Sequence, residues 1–318
     1  MSGARSPSTS SSSRFPAWPS TRSTMRIQSS RNSTGSPTPF SPRVPSSSAA
    51  TSFTRLARLS SLRWQQELAA WAIPERILAQ APEDPWTLPV ALFEPGHSGL
   101  TLSHDCALEA LAQGGKVLDV GAGRCAMSLP LRPPADRIVA VDSQPAMLEN
   151  SPADITVVGP WPEAAAEAGP ADVVVCGHVL YNVPDLAPFI EALDHAARRR
   201  VVIEITRSHP RDRPLERALW KHFWDLQRPT GPSWEQALEV IRDCGIDPRV
   251  QLWESQQRGG FTDLDGLVAF MRRTVCLDHS RDDEVRSIVL QHAVERDGGW
   301  RLSAEPRQLV TIWWDPYP

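Results

Sequence analysis

The run Val117-Leu118-Asp119-Val120-Gly121-Ala122-Gly123-Arg124-Cys125 constrains this chain more than any other, because an apolar strand runs straight into a glycine-rich turn. A strand that is apolar without alternation is covered on both faces, as in a parallel sheet wrapped by helices. Glycine at 121 and 123 lets the backbone turn sharply and meet a ligand with no Cβ in the way. A second apolar run, Val139-Ala140-Val141, ends on Asp142, 19 residues beyond Gly123. A carboxylate there can accept both hydroxyl hydrogens of a ribose. Together the two runs predict an α/β, doubly wound sheet with an adenosine-type ligand at its strand ends. The plain alternative is a glycine turn with no cofactor, and Asp142 at the ribose spacing argues against it.

The glycines alone do not choose the ligand, since Gly121-x-Gly123-x-x-Ala126 also satisfies the loose dinucleotide fingerprint. Asp119 does choose. A carboxylate at the strand's carboxyl end suits a cationic ligand and is awkward beside a pyrophosphate, which needs backbone N–H groups and a clear helix N-terminus. S-adenosylmethionine carries a sulfonium and an ammonium and no phosphate. At this point the sequence resembles the class I S-adenosylmethionine-dependent methyltransferases, whose first motif is an acid, an apolar residue, then Gly-x-Gly-x-Gly. Asp119 to Cys125 matches in all but the last position, where Cys125 replaces the third glycine. The likeness is nearest to methyltransferases common in high-GC actinobacteria, and the skew of 31 Arg to 2 Lys fits a GC-rich genome.

Residues 1–52 stand apart, with 18 Ser, 6 Thr, 7 Pro, 6 Arg and no acid. Such a composition buries too little apolar surface to offset chain entropy, so the segment reads as a disordered extension. It also mimics a transit peptide, although its prolines break any amphipathic helix, and a natural start at Met25 or beyond is a third reading. Without it the body carries 27 basic against 37 acidic groups, a balance of −10. An acidic body repels phosphate backbones, so no nucleic-acid partner is expected. No apolar run approaches about 18 residues, so no membrane span is expected. Five widely spaced cysteines without a C-x-x-C indicate reduced thiols in a cytoplasmic protein and no metal site.

Helical spacing of Leu56, Leu59, Leu62, Trp64, Leu68 and Trp71, divided by Pro74, predicts an N-terminal helical cap over 53–113. This cap includes a loop from Pro85 to Pro95 and a helix from Ser103 that ends at Gly114-Gly115. The catalytic domain then spans 114–318. Strands are expected at Val117–Val120, Ile138–Val141, Ile155–Val158, Val173–Cys176, Val201–Ile205, Val250–Trp253 and Leu309–Trp313. Helices are expected over Asp185–Ala197 and from a capping box at Ser233 and Gln236 to Asp243. Insertions fall at about 207–232 and 255–306. The resemblance implies a Rossmann-like seven-stranded sheet whose last strand is antiparallel.

In such sheets the ligand lies outside the strand carboxyl ends. The expected cofactor-binding residues are therefore Asp119, Gly121, Ala122, Gly123, Asp142, Ser143, Trp161, Cys176 and Gly177. Trp161 either covers the adenine or packs on the following helix. Cys176-Gly177-His178-Val179-Leu180-Tyr181-Asn182 resembles the family's fourth motif without being Asn-Pro-Pro-Tyr, which counts against amide-nitrogen acceptors. His178, a side chain able to take up a proton, is the candidate base, with Tyr181 as the second catalytic candidate. Glu204 alternates toward a helix-covered face and reads as a buried, paired carboxylate. His209, Trp220 and Trp224 are the expected substrate-binding residues, on an aromatic insertion whose Pro-Thr-Gly-Pro turn at 229–232 stays mobile.

The reading is thus an enzyme that transfers a methyl group from S-adenosyl-L-methionine to a small molecule. The rivals are an RNA or protein methyltransferase, which would need a basic face, an NAD-dependent oxidoreductase, which Asp119 disfavours, and an idle adenosine-binding protein.

Overall fold

A computed structural model describes residues 47–86, 99–255, 260–296 and 298–317, with side chains from Arg58 onward. Seven strands form one sheet: β1 (Gly115–Val120), β2 (Ala135–Asp142), β3 (Ile155–Val158), β4 (Ala171–Gly177), β5 (Ala197–Thr206), β6 (Arg249–Ser255) and β9 (Arg307–Trp314). Their order is β3-β2-β1-β4-β5-β9-β6. The first five are parallel, and β9 runs antiparallel to both β5 and β6. The expected architecture is therefore met, including the antiparallel last strand. Register sets Val120 beside Val141 and Gly177 beside Glu204, so the carboxyl ends of β1, β2, β4 and β5 share one edge. Strand order reverses between β1 and β4, the place where such sheets open a crevice.

Helix α3 (Leu102–Ala110) covers one face, while α6 (Leu186–Ala196) and α8 (Trp234–Asp243) belong to the core on the other. The box expected at the start of α8 forms, with Gln236 Oε1 accepting from the Ser233 N–H at 2.8 Å. Helix α1 (Ser47–Ala69) seats Trp64 in the main core, and the indole Nε1 donates to the Val183 carbonyl at 2.8 Å. Pro74 begins the short α2 (Glu75–Leu78), as its break of the helical pattern predicts. One boundary is corrected: α1 takes in residues 47–52, which the composition places in the extension. Ala49 and Ala50 there are strong helix formers. Residues 1–46 and most of the Pro85–Pro95 loop lie outside the described residues.

A second core gathers Ile73 and Ile77 with Leu215, Leu219 and Trp220 of α7 (Pro214–Trp224) and the apolar faces of α9 (Leu264–Thr274) and α10 (Asp282–His292). Each helix alone buries a single stripe, and three stripes facing inward exclude water. The short helices α4 (Pro145–Leu148) and α5 (Ala165–Ala168) follow β2 and β3. A hairpin of β7 (Val294–Arg296) and β8 (Gly299–Arg301) precedes β9, inside the second insertion, where the sequence predicts no strand. Among the described residues no helix is long and apolar enough to cross a membrane.

Candidate active site

The turn after β1 is shaped by left-handed backbone at three positions. Gly121 has φ 69°, and a Cβ there would lie 2.3 Å from Val179 Cγ2, so glycine is required both by conformation and by the chain after β4. Gly123 has φ 51° and nothing within 4 Å of an added Cβ. That side of the turn is open to a ligand. Cys125 keeps φ 61° although it stands where the resembled motif has glycine. The strain of a side chain in this region is held by a fully buried position and by a contact of 3.3 Å between Sγ and Ser151 Oγ.

Asp142 reaches this turn. One carboxylate oxygen accepts from the Gly123 N–H at 2.9 Å and the other from the Gln144 N–H at 2.9 Å. Ser143, beside it, is exposed. Asp119 is 1% exposed and accepts from the Ser128 hydroxyl at 2.5 Å. Burial pushes its carboxyl up to about 7, the Ser128 hydrogen bond opposes this, and the nearby Asp142 charge adds to it. An acid so placed gains from a neighbouring cation, which would restore its charge. Ala122 is buried, its N–H donating to Val141 O at 2.9 Å.

At the end of β4, Cys176 is fully buried in the main core, where desolvation drives its thiol far above the usual range. Its side chain therefore packs, and its neighbour Gly177 lies at the open edge. A Cβ on Gly177 would meet Met127 Cγ at 2.4 Å. His178 follows with φ 61°, an unusual conformation for a residue with a Cβ. Its N–H donates to the Glu204 carbonyl at 2.8 Å and its Nε2 lies 3.0 Å from Glu204 Oε1. The imidazole is 38% exposed while the carboxylate side chain is 7% exposed. Burial raises the Glu204 carboxyl, but the His178 hydrogen bond and charge, with smaller help from Ser103 and His104, outweigh it and leave the pKa below the ordinary value. The Thr101 hydroxyl donates to Glu204 Oε2 at 3.4 Å.

Thr101 also begins α3, where His104 Nδ1 accepts from the Thr101 N–H at 2.9 Å. His104 Nε2 then carries the hydrogen and donates to Ala126 O at 3.1 Å, tying α3 to the β1 turn. Burial lowers the His104 pKa, consistent with this neutral form.

The other expected site residues fall elsewhere. Tyr181 sits in a short 3-10 turn, is buried, and donates its hydroxyl to Thr206 O at 2.9 Å. Desolvation drives its pKa far above the usual phenol range, so it is a poor base. His209 stacks on Trp71 at 3.8 Å, and burial, aided by Arg211 and Arg228, lowers its pKa to about 3. Trp161 takes the second of its two readings: it is buried in the main core and donates to Phe189 O at 3.3 Å. Trp220 is 2% exposed within the second core, and Trp224 donates to Val275 O at 2.7 Å. Both indoles pack the inserted helices together. The turn at 229–232 is anchored: Trp71 donates to Gly231 O, and a Cβ on Gly231 would meet Glu67.

Residues 100–241 match a family model described as a methyltransferase domain. No curated protein matches the chain. Among solved structures, the chain is similar to the YcgJ protein of Bacillus subtilis at 12% identity, TM-score 0.44, covering 68% of this chain and 98% of that one. N-methyltransferase NodS of Bradyrhizobium japonicum WM9 has 13% identity and TM-score 0.38, covering 67% and 94%. Magnesium protoporphyrin IX methyltransferase of Synechocystis PCC 6803, with bound S-adenosylhomocysteine, has 14% identity and TM-score 0.38, covering 68% and 88%. The chain thus carries a methyltransferase domain over residues 100–241.

Proposed function

We propose that the acceptor is a small molecule and that His178 removes its proton. The observation that carries this reading is the His178–Glu204 pair, an exposed imidazole held at 3.0 Å by a buried carboxylate at the open edge of β4. An ionised carboxylate only accepts, so the hydrogen lies on Nε2 and the lone pair on Nδ1 is free for the acceptor. Glu204 is the positioning residue. It fixes the tautomer and stabilises the imidazolium once the proton arrives.

For the cofactor, the open side of Gly123 and the Asp142 carboxylate beside it fit a ribose, and the buried Asp119 fits a neighbouring cation. Gly121, Ala122, Ser143 and Gly177 complete the edge around it. When bound, S-adenosylmethionine supplies a methyl group on a sulfonium. The chain's part is to hold the acceptor nucleophile in line, exclude water and take the proton. Gly121, Gly123 and Asp142 would hold that donor, it would supply the methyl group, and His178 would take up the nucleophile's proton.

Titration calorimetry with S-adenosylhomocysteine tests the cofactor reading, and heat with NADH instead would overturn it. A small-molecule acceptor panel, assayed for S-adenosylhomocysteine release, tests the rest. Turnover on RNA or protein alone would overturn the small-molecule assignment.

A further inference from the structure

Helix α3 begins with a cap of an unusual kind. A capping box ordinarily pairs a hydroxyl residue with Glu or Gln three positions on, as Ser233 and Gln236 do at α8. At α3 the third position is His104, whose backbone N–H donates to the Thr101 hydroxyl at 3.3 Å while Nδ1 accepts from the Thr101 N–H at 2.9 Å. A glutamine closes the same box. The imidazole does more, because its second nitrogen is left to reach Ala126 O at 3.1 Å.

Ala126 opens a short segment that touches the ends of both β1 and β4. Its neighbour Met127 packs where a Cβ on Gly177 would stand, one residue before His178, and Ser128 donates to the buried Asp119. On the sheet side of the box, the Ser103 hydroxyl lies 2.7 Å from that of Thr311, the residue paired directly opposite Glu204 on β9. Trp253 donates to the same Thr311 hydroxyl at 2.9 Å. The first turn of α3 is thus pinned both to the chain after the glycine turn and to the sheet. Between these pins stands the Thr101 hydroxyl. The single lone pair of Nδ1 is taken by the Thr101 N–H, so the hydroxyl hydrogen goes to Glu204 Oε2 at 3.4 Å.

We propose that Thr101 and His104 are positioning residues for the methyl transfer, aiming Glu204 and through it the His178 imidazole at the acceptor. This deepens the reading of His178 as the base and rests on it. A carboxylate held through one oxygen can rotate about its last bond, and a rotated Glu204 releases Nε2. With Oε1 on His178 and Oε2 on Thr101 that rotation is stopped. Aim matters because a small misplacement of a reacting group costs rate steeply. His104 fixes where Thr101 stands relative to the turn after β1.

The experiment titrates the His178 imidazole in the full chain by nitrogen–proton NMR, its signal identified by absence from His178→Gln. In Thr101→Val the His178 midpoint falls by about half a pH unit or more against the wild type, since a carboxylate free to turn stabilises the imidazolium less. Thr101→Ser, which keeps the hydroxyl, restores it. His104→Gln, which can close the box but gives up the imidazole bond to Ala126, lowers the midpoint in the same direction. A midpoint unmoved in Thr101→Val and His104→Gln, beside lower stability in denaturant, marks a helix cap alone and overturns the proposal. A midpoint that rises in Thr101→Val shows a hydroxyl that draws charge from Glu204 without aiming it, and overturns the proposal too. Should Thr101→Val fail to fold, Thr101→Gly decides, because a helix start tolerates glycine at little cost. Full turnover in His178→Gln on an acceptor from the panel would sink the base reading itself. Turnover lost there beside unmoved midpoints strikes the positioning alone.

Discussion

The two edges of the sheet are built on opposite terms. At the amino edge Arg200 has two carboxylates, Arg199 meets Asp172 at 3.4 Å, and Lys116 donates to Ala168 O at 2.7 Å. At the carboxyl edge Cys125 and His178 hold left-handed backbone, Asp119 is a buried acid with a raised pKa, and the buried Thr206 hydroxyl has no hydrogen-bond partner among the described residues. Unfavourable terms of this kind persist where surrounding packing enforces them and a ligand relieves them. The difference teaches that one edge stabilises the fold and the other spends some of that stability on binding.

Substitutions can break or sharpen this contrast. The largest effect is expected for His178→Ala, which slows turnover about 100-fold or more if the imidazole is the base. Affinity for S-adenosylhomocysteine should stay within about 0.5 kcal/mol, the scale of a change with no mechanism there. Single-turnover rates with calorimetry check both, and equal loss of binding would make His178 part of the cofactor site. Gly121→Ala should cost about 2–3 kcal/mol of stability from overpacking and strained φ. Denaturant unfolding should show part of it returning when Val179→Ala is added, since the new Cβ would strike the Val179 side chain.

Asp142→Ala should weaken S-adenosylhomocysteine binding by about 1.5–3 kcal/mol, read by calorimetry, with unfolding little changed. Arg200→Gln should do the reverse, losing about 1–2 kcal/mol of stability, discounted because its carboxylate partners are partly exposed. A matching loss of cofactor affinity there would dissolve the distinction between the edges.

The smallest effect is a pH dependence. Asp119 titrates near 7 in the folded chain against an ordinary 3.8, so its contribution is full below 3.8 and is lost as pH rises through 7. Asp119→Asn removes that loss. Its melting temperature should exceed the wild type's at pH 8, with the gap shrinking toward pH 4. A gap independent of pH would show that Asp119 stays ionised throughout.

How far the sequence carried the structure depends on the kind of residue. The strands and the turn after β1 were legible because β-branched runs and glycines each demand one environment. Indoles and imidazoles do not. Trp220, Trp224 and His209 can pack or line a cavity, and only the second core shows which. Tyr181 turned inward because a 3-10 turn, invisible to periodicity, redirects the chain after His178. The β7–β8 hairpin escaped because three-residue strands carry no period to read. Glu204 was legible as a paired carboxylate, but its partner depended on the β4–β5 register.

Trp71 has a mechanical consequence. One residue stacks on His209 just after β5, donates its indole hydrogen to Gly231 in the proline-flanked turn, and offers its carbonyl to Arg228. It works as a linchpin joining the end of α1 to two loops far away in the chain. Any opening of this side of the molecule must then swing those segments as one rigid lever, or shear all three attachments together.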